Sequence, residues 1–194
     1  MKNNPAPQPY VDAENEGGAA EAVRYLRSRG RSRIATIAGP QDMAAGADRL
    51  AGYHETLAES GLAGDATLVE IADFTLEGGQ GAMERLLERA PALDAVFVAS
   101  DLMAVGAVAA LRGAGRSIPG DVAIVGFDDS QLATTTQPNL SSVRQPIEEM
   151  GREMSRLLME EIRFAGRAPR RVILDTQLVL RTSSVGGAEG GIGI

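Results

Sequence analysis

The chain has 194 residues, 44% of them hydrophobic, with a formal net charge of −7, no cysteine and one histidine. Without cysteine there is no disulfide framework and no thiolate metal site, and one histidine excludes a two-histidine metal site. An acidic chain is repelled by phosphate backbones unless it carries a local basic patch, and no apolar run is long enough to span a membrane.

The first stretch, MKNNPAPQPYVDAENEGG, is polar and proline-rich and lacks an apolar run of signal-peptide length, which points to the cytoplasm. Residues 1–10 read as a flexible tail. GGAAEAVRYLRSR, residues 17–29, suits a helix with Ala19, Val23 and Leu26 on one face and Gly30 as its stop. The arginines 24, 27, 29, 31 and 33 cluster where that helix ends, a position that suits cations, with a binding patch as the alternative reading. RIATIAGP is a short buried strand, and residues 47–60 form a helix with Leu50, Tyr53 and Leu57 on its apolar side. ATLVEIADF is another strand, and residues 78–90 a helix carrying Met83, Leu86 and Leu87. DAVFVAS, a helix over 101–112, and the strand DVAIVGFDD follow. LSSVRQP is an extended crossing segment, residues 147–165 a long amphipathic helix, and RRVILDTQLVLRTSS one or two last strands. Residues 185–194 read as a disordered tail.

This alternation predicts an α/β fold, a parallel sheet flanked by helices. Three strands end alike, in TIAGPQD, FVASD and IVGFDDS, where an apolar run meets small or polar residues. The carboxyl ends of parallel strands form the crevice where ligands bind in such sheets. Ser100 and Asp101 lie at that edge, just before a helix. Only one of them can cap it, and Asp101 is the expected cap. Asp128 and Asp129 suit either loop ties or acceptors for ligand hydroxyl and N–H groups. The helix after Asp101 is apolar almost all round, so it needs a second partner: another helix of the chain or a second subunit. Catalytic constellations are weak. His54 is alone, GGQGAMER lacks the spacing of a phosphate loop, and neither an enzyme, a metal site nor a cofactor is expected.

Several stretches together resemble the lactose/galactose-repressor (LacI/GalR) family of transcriptional regulators. They are ENEGGAAEAVRYLRSRGRSRIATIAGP, ADRLAGYHETLAESGL, VFVASDLMAVGAVAALRGAGRSIPGDVAIVGFDDS, LSSVRQPIEEMGREM and LVLRTSS, in family order over about residues 11–184. The resemblance implies a periplasmic-binding-protein-like type I effector domain that holds a sugar or small metabolite between two lobes. It implies effector contacts from Arg49, Phe74, Ser100, Asp128 and Gln145, with Ser100 standing where the family usually has Asn. It implies a homodimer through Val105 and the loop near Leu132. Operator DNA would be read only by a helix-turn-helix domain absent from this chain. Residues 30–140 and 170–184 would form the C-terminal lobe, and residues 11–29 and 145–165 elements of an incomplete N-terminal lobe. The stripe Ile147, Met150, Met154, Leu157, Leu158 and Ile162 would then lack its sheet, forfeiting on the order of 10 kcal/mol at roughly 1.5–3 per side chain. It is therefore expected to fold onto the remaining lobe, pair with another chain or be poorly ordered. The alternative reading is a periplasmic sugar-binding protein of an uptake system.

Overall fold

In the computed structural model, which describes residues 8–62, 65–164 and 168–186, the apolar runs become the middle of a six-stranded sheet. The elements in chain order are β1 (Tyr10–Ala13), α1 (Asn15–Ser28), β2 (Ile34–Ala38), α2 (Ala44–Glu59), β3 (Val69–Ile71), α3 (Leu76–Arg89), β4 (Ala95–Val98), α4 (Asp101–Gly113), β5 (Ala123–Asp128), α5 (Gln131–Thr135), β6 (Ser141–Arg144), α6 (Ile147–Arg163), β7 (Arg171–Leu174) and β8 (Gln177–Val179). The large sheet runs β3-β2-β4-β5-β6-β8, parallel except for β8. One row across it reads Val69, Thr36, Phe97, Val125, Ser141. Every residue of β2 and β4 is buried, as continuous apolar strands require when helices cover both faces.

Two cores follow from that covering. On one face Ala19, Val23 and Leu26 of α1 and Tyr53 and Leu57 of α2 meet Phe97, Val125, Phe127 and Val143. On the other, Met83 and Leu86 of α3 and Met103 and Leu111 of α4 meet Ile37, Val96, Val98 and Ile124. The second partner of the apolar helix α4 is thus α3 of the same chain, although Leu102 stays 41% exposed.

Beside the large sheet, β1 and β7 pair in parallel as a separate two-stranded sheet, and α6 packs on β1. Two expectations are corrected here, and one of the three fates expected for α6 is not seen. Helix α1 belongs to the large lobe, not to the incomplete one, because its apolar stripe is buried against β4, β5 and β6. Segment 170–184 divides: β7 joins β1, and only β8 extends the large sheet. The α6 helix does not fold onto the large lobe. Leu157 is buried, whereas Ile147, Met154, Leu158 and Ile162 are each more than half exposed.

Smaller differences have local causes. The ATLVEIADF strand shrinks to β3 because the Asp65 carboxylate accepts a hydrogen bond from the Thr67 N–H at 3.0 Å and winds residues 66–68 into a 3-10 turn. Tyr10 begins a strand rather than ending a tail, and residues 1–7 and 187–194 of the expected tails lie outside the described residues. The arginine cluster is mostly engaged: Arg24 with Glu59, Arg33 with Asp65, Arg27 with the Arg31 carbonyl, and Arg31 with the Pro119 carbonyl at 2.6 Å.

Candidate functional site

The strand order places a switch point between β2 and β4. The chain leaves β2 toward β3 on one side and returns through α3 to β4 on the other. Helices on either side of such a point splay apart, and the carboxyl ends of the strands open a crevice there.

Arg49 enters this crevice from α2. It is 5% exposed, and its guanidinium lies 3.7 Å from the centroid of the Phe127 ring, a cation–π stack. Its Nε donates to Asn15 Oδ1 at 2.9 Å, and its Nη1 donates to the Ala99 carbonyl at 2.7 Å. Nη1 also stands 3.6 Å from Asp128 Oδ1. Burial pulls the guanidinium below its usual value, and the charges of Asp128, Asp12, Asp101 and Asp48 oppose that. A guanidinium remains charged throughout.

Asp128 ends β5. Its Oδ1 accepts from Gln145 Nε2 at 2.7 Å, and 34% of its side chain stays open, enough to accept from a ligand. Burial raises its carboxyl above the usual range, partly offset by Arg49 and Gln145. Adjacent Asp129 turns the other way, to Arg144 and Arg181, each at 2.6 Å.

Phe74 lies between β3 and α3. The Asp73 carboxylate accepts from the Thr75 N–H and hydroxyl, and Thr75 in turn caps α3 by accepting from the Gly78 N–H at 2.9 Å. Held on both sides, Phe74 takes φ 63° and lays its ring over Gly39, where any Cβ would overlap it. The glycine after β2 is thus a condition of the ring's position. Among the described residues, those other than glycine with positive φ are Phe74, Asp128 and Asp129, at or just beyond the carboxyl ends of β3 and β5. Left-handed backbone costs such residues about 1–3 kcal/mol each, and it persists where surrounding contacts over-determine it, commonly at binding sites.

Ser100 is the α4 cap: its Oγ accepts from the Met103 N–H at 3.2 Å. The expectation that Asp101 caps is corrected, because the Asp101 side chain turns inward to Ser142 and Ser130. Ser100 remains beside the Ala99 carbonyl that Arg49 binds, but it is 6% exposed.

The structure therefore joins Arg49, Asp128 and Gln145 directly. It places Ser100 next to them, and Phe74 after the edge strand β3 with its ring over Gly39 at the end of β2. Val105 is half-buried on α4 and Leu132 exposed on α5, outside the crevice. Asn15 and Phe127 were missed. Asn15 looks like an ordinary polar residue at a helix start, and Phe127 like one more core residue of a strand. Beside Asn15 a groove of about 630 Å³ is lined by Asp12, Glu14, Glu16, Ala44 and Asp48 among others. Its carboxylates accept hydrogen bonds and repel anions. Among the described residues no three His, Asp or Glu side chains gather as metal ligands.

The periplasmic binding protein-like domain family matches residues 23–184. The chain is 52% identical over 174 residues to the HTH-type transcriptional regulator CelR of Thermobifida fusca, covering 90% of this chain and 51% of that protein. It is 36% identical over 187 residues to the HTH-type transcriptional repressor CytR of Escherichia coli (strain K12), covering 95% and 55%. The solved structure of a transcriptional regulator CelR–cellobiose complex is similar with TM-score 0.89 and 51% identity, over 91% of this chain and 54% of that one. A LacI family transcriptional regulator from Mycobacterium smegmatis gives TM-score 0.87 and 31% identity, over 93% and 67%. The chain spans about half the length of the curated relatives named here.

Proposed function

Because the chain belongs to the LacI family of transcriptional regulators, through its periplasmic binding protein-like domain, we propose that it is the effector-binding part of a sugar-responsive regulator. The observation that carries this reading is the Arg49–Asp128–Gln145 cluster at the switch point, with the Phe74 ring over Gly39 at the end of β2. A forked guanidinium and a carboxylate hydrogen-bond paired sugar hydroxyls, and an aromatic face stacks on a sugar ring. Arg49 is already balanced by carboxylates, and Asp12 and Asp48 line the flanking groove. The effector is therefore a neutral polyhydroxylated molecule rather than a phosphorylated one. Cellobiose, bound in the similar CelR structure, is the first candidate. The relatives named above are transcriptional regulators, which favours this reading over an uptake protein and supports a cytoplasmic location.

Operator binding belongs to a helix-turn-helix domain of the whole regulator, and effector binding shifts the balance between two lobe arrangements. The exposed stripe of α6 and the β1–β7 sheet are the seat of further N-terminal-lobe structure in that protein. Dimer contacts come from Leu102, Val105 and Leu132. The test is calorimetry of the full-length regulator against cellobiose, other disaccharides, nucleosides and sugar phosphates, alongside an operator mobility shift. Binding of a neutral sugar that alters the shift is expected. Binding of none of these ligands, or only of a sugar phosphate, overturns the reading.

A further inference from the structure

Asp101 is fully buried at the first turn of α4, yet it caps nothing. Its Oδ1 accepts from the Ser142 hydroxyl of β6 at 2.6 Å, and its Oδ2 accepts from the Ser130 N–H at 2.7 Å. The Ser142 hydroxyl is used twice. While donating to Asp101, it accepts from the Asp129 N–H at 3.0 Å. The carboxylate thus holds two successive backbone N–H groups, one directly and one through a serine. Those groups follow Asp128 and belong to a turn in which Asp128 has φ 111° and Asp129 φ 52°. The fold makes room for this arrangement. A Cβ at Gly126, in mid-β5, would stand 2.5 Å from Asp101 Oδ1.

We propose that Asp101 is a positioning residue for the effector site: through Ser142 and Ser130 it locks the Asp128–Ser130 turn in the left-handed backbone that presents the Asp128 carboxylate to Arg49 and Gln145. This rests on the reading of Asp128 as an effector contact. The lock needs the ionised carboxylate, because both partners donate and a protonated oxygen accepts poorly. Burial pushes Asp101 up to about 6, against the pull of Ser142 and Ser130, and the charge of Asp128 adds to the rise. The other charged groups around the turn are Arg49 from α2 and Asp129 with its partners Arg144 and Arg181. Below that pH the turn loosens while the sheet stays folded.

The test needs no effector in its first arm. Amide hydrogen exchange in this chain is compared with Asp101→Asn, Ser142→Ala and Gly126→Ala. Exchange at Asp129 and Ser130 is expected to rise at least about tenfold while Ala123–Val125 stay protected, and Ser142→Thr, which keeps the hydroxyl, is expected to restore protection. Unchanged exchange at 129 and 130 overturns the proposal. If the variants lose protection everywhere, the unsubstituted chain decides. The Asp101 carboxyl carbon and the amides of Asp129 and Ser130 are expected to titrate with one midpoint, separate from that of the Asp128 carboxyl carbon. Unlinked midpoints overturn the proposal. In the second arm, Ser142→Ala in the full-length regulator is expected to weaken cellobiose binding about tenfold, with partial rescue by Ser142→Thr. Failure of the unsubstituted regulator to bind cellobiose counts against cellobiose as the effector alone, since the exchange and titration results stand without it.

Discussion

Arg49 and Asp128 stand 3.6 Å apart with the guanidinium face on Phe127, so the cation is fixed between a carboxylate and an aromatic ring. Helix α2 supplies one charge and the end of β5 the other. The pair therefore exists only once α2 has docked on the sheet.

Removing one side of the pair should be costly. Arg49→Met leaves Asp128 largely desolvated with only Gln145 nearby, and loss of one partner of a buried pair costs about 3–5 kcal/mol. The open third of Asp128 brings the expected value to the lower end, about 3 kcal/mol, read by urea denaturation. Asp128→Asn keeps the shape and an acceptor for Gln145, so stability should fall by about 1 kcal/mol while effector affinity falls about 10–100-fold by calorimetry.

Phe74 is to be tested through the glycine beneath it. Gly39→Ala places a Cβ in the ring's position, so the ring must leave the crevice although Phe74 itself is unchanged. Both Gly39→Ala and Phe74→Ala are expected to weaken sugar binding about tenfold, the scale of one lost aromatic stack. Full affinity in both variants would remove Phe74 from the site.

Acid should act in two directions on stability. The folded Asp101 carboxyl is raised to about 6 from 3.8, so folding takes up a proton between those values. Its contribution to stability grows as pH falls through 6 and levels off below 3.8. Glu70 behaves oppositely: burial raises it, but Arg85 and Arg89 outweigh that and hold it below 4.5. Its contribution is present above 4.5 and is lost as pH falls through the folded value. The urea midpoint should hold or rise from about pH 7 to about pH 5, then drop below about pH 4. A steady decline from neutrality would contradict the Asp101 assignment.

The α6 stripe should make this chain self-associate. Leu158 is 62% and Ile162 68% exposed on a helix whose other face carries the ion pairs Glu153–Arg156 and Arg156–Glu160. Leu158→Glu with Ile162→Lys should change folding stability by less than about 0.5 kcal/mol per site, because those side chains touch little. The same pair should shift sedimentation toward monomer. A parent chain that is monomeric at high concentration would refute this.

On the proposed reading the α4–α5 surface serves as a second and separate interface. Leu102 and Leu132 are 41% and 37% exposed, beside half-buried Val105. Leu132→Glu in the full-length regulator should break the dimer in a sedimentation experiment and leave effector binding by each protomer intact. A dimer that survives Leu102→Glu together with Leu132→Glu places the interface elsewhere.

The amino-acid sequence by itself determined the alternation of strands and helices and the edge of the sheet where polar residues gather. Those features follow from short-range periodicity and from where an apolar run stops, as at Ala99–Ser100 and Phe127–Asp128. The resemblance added Arg49, Phe74, Asp128 and Gln145; the fold joins Arg49, Asp128 and Gln145 and sets the Phe74 ring over Gly39. Only the tertiary structure decided which lobe α1 joins, that Ser100 rather than Asp101 caps α4, and that Asp101 holds the turn after β5. Amphipathic periodicity says that a helix has an apolar face, not which sheet that face meets. A buried carboxylate is told from a cap only by the donors that approach it, and Ser130 and Ser142 arrive from 29 and 41 residues further along the chain.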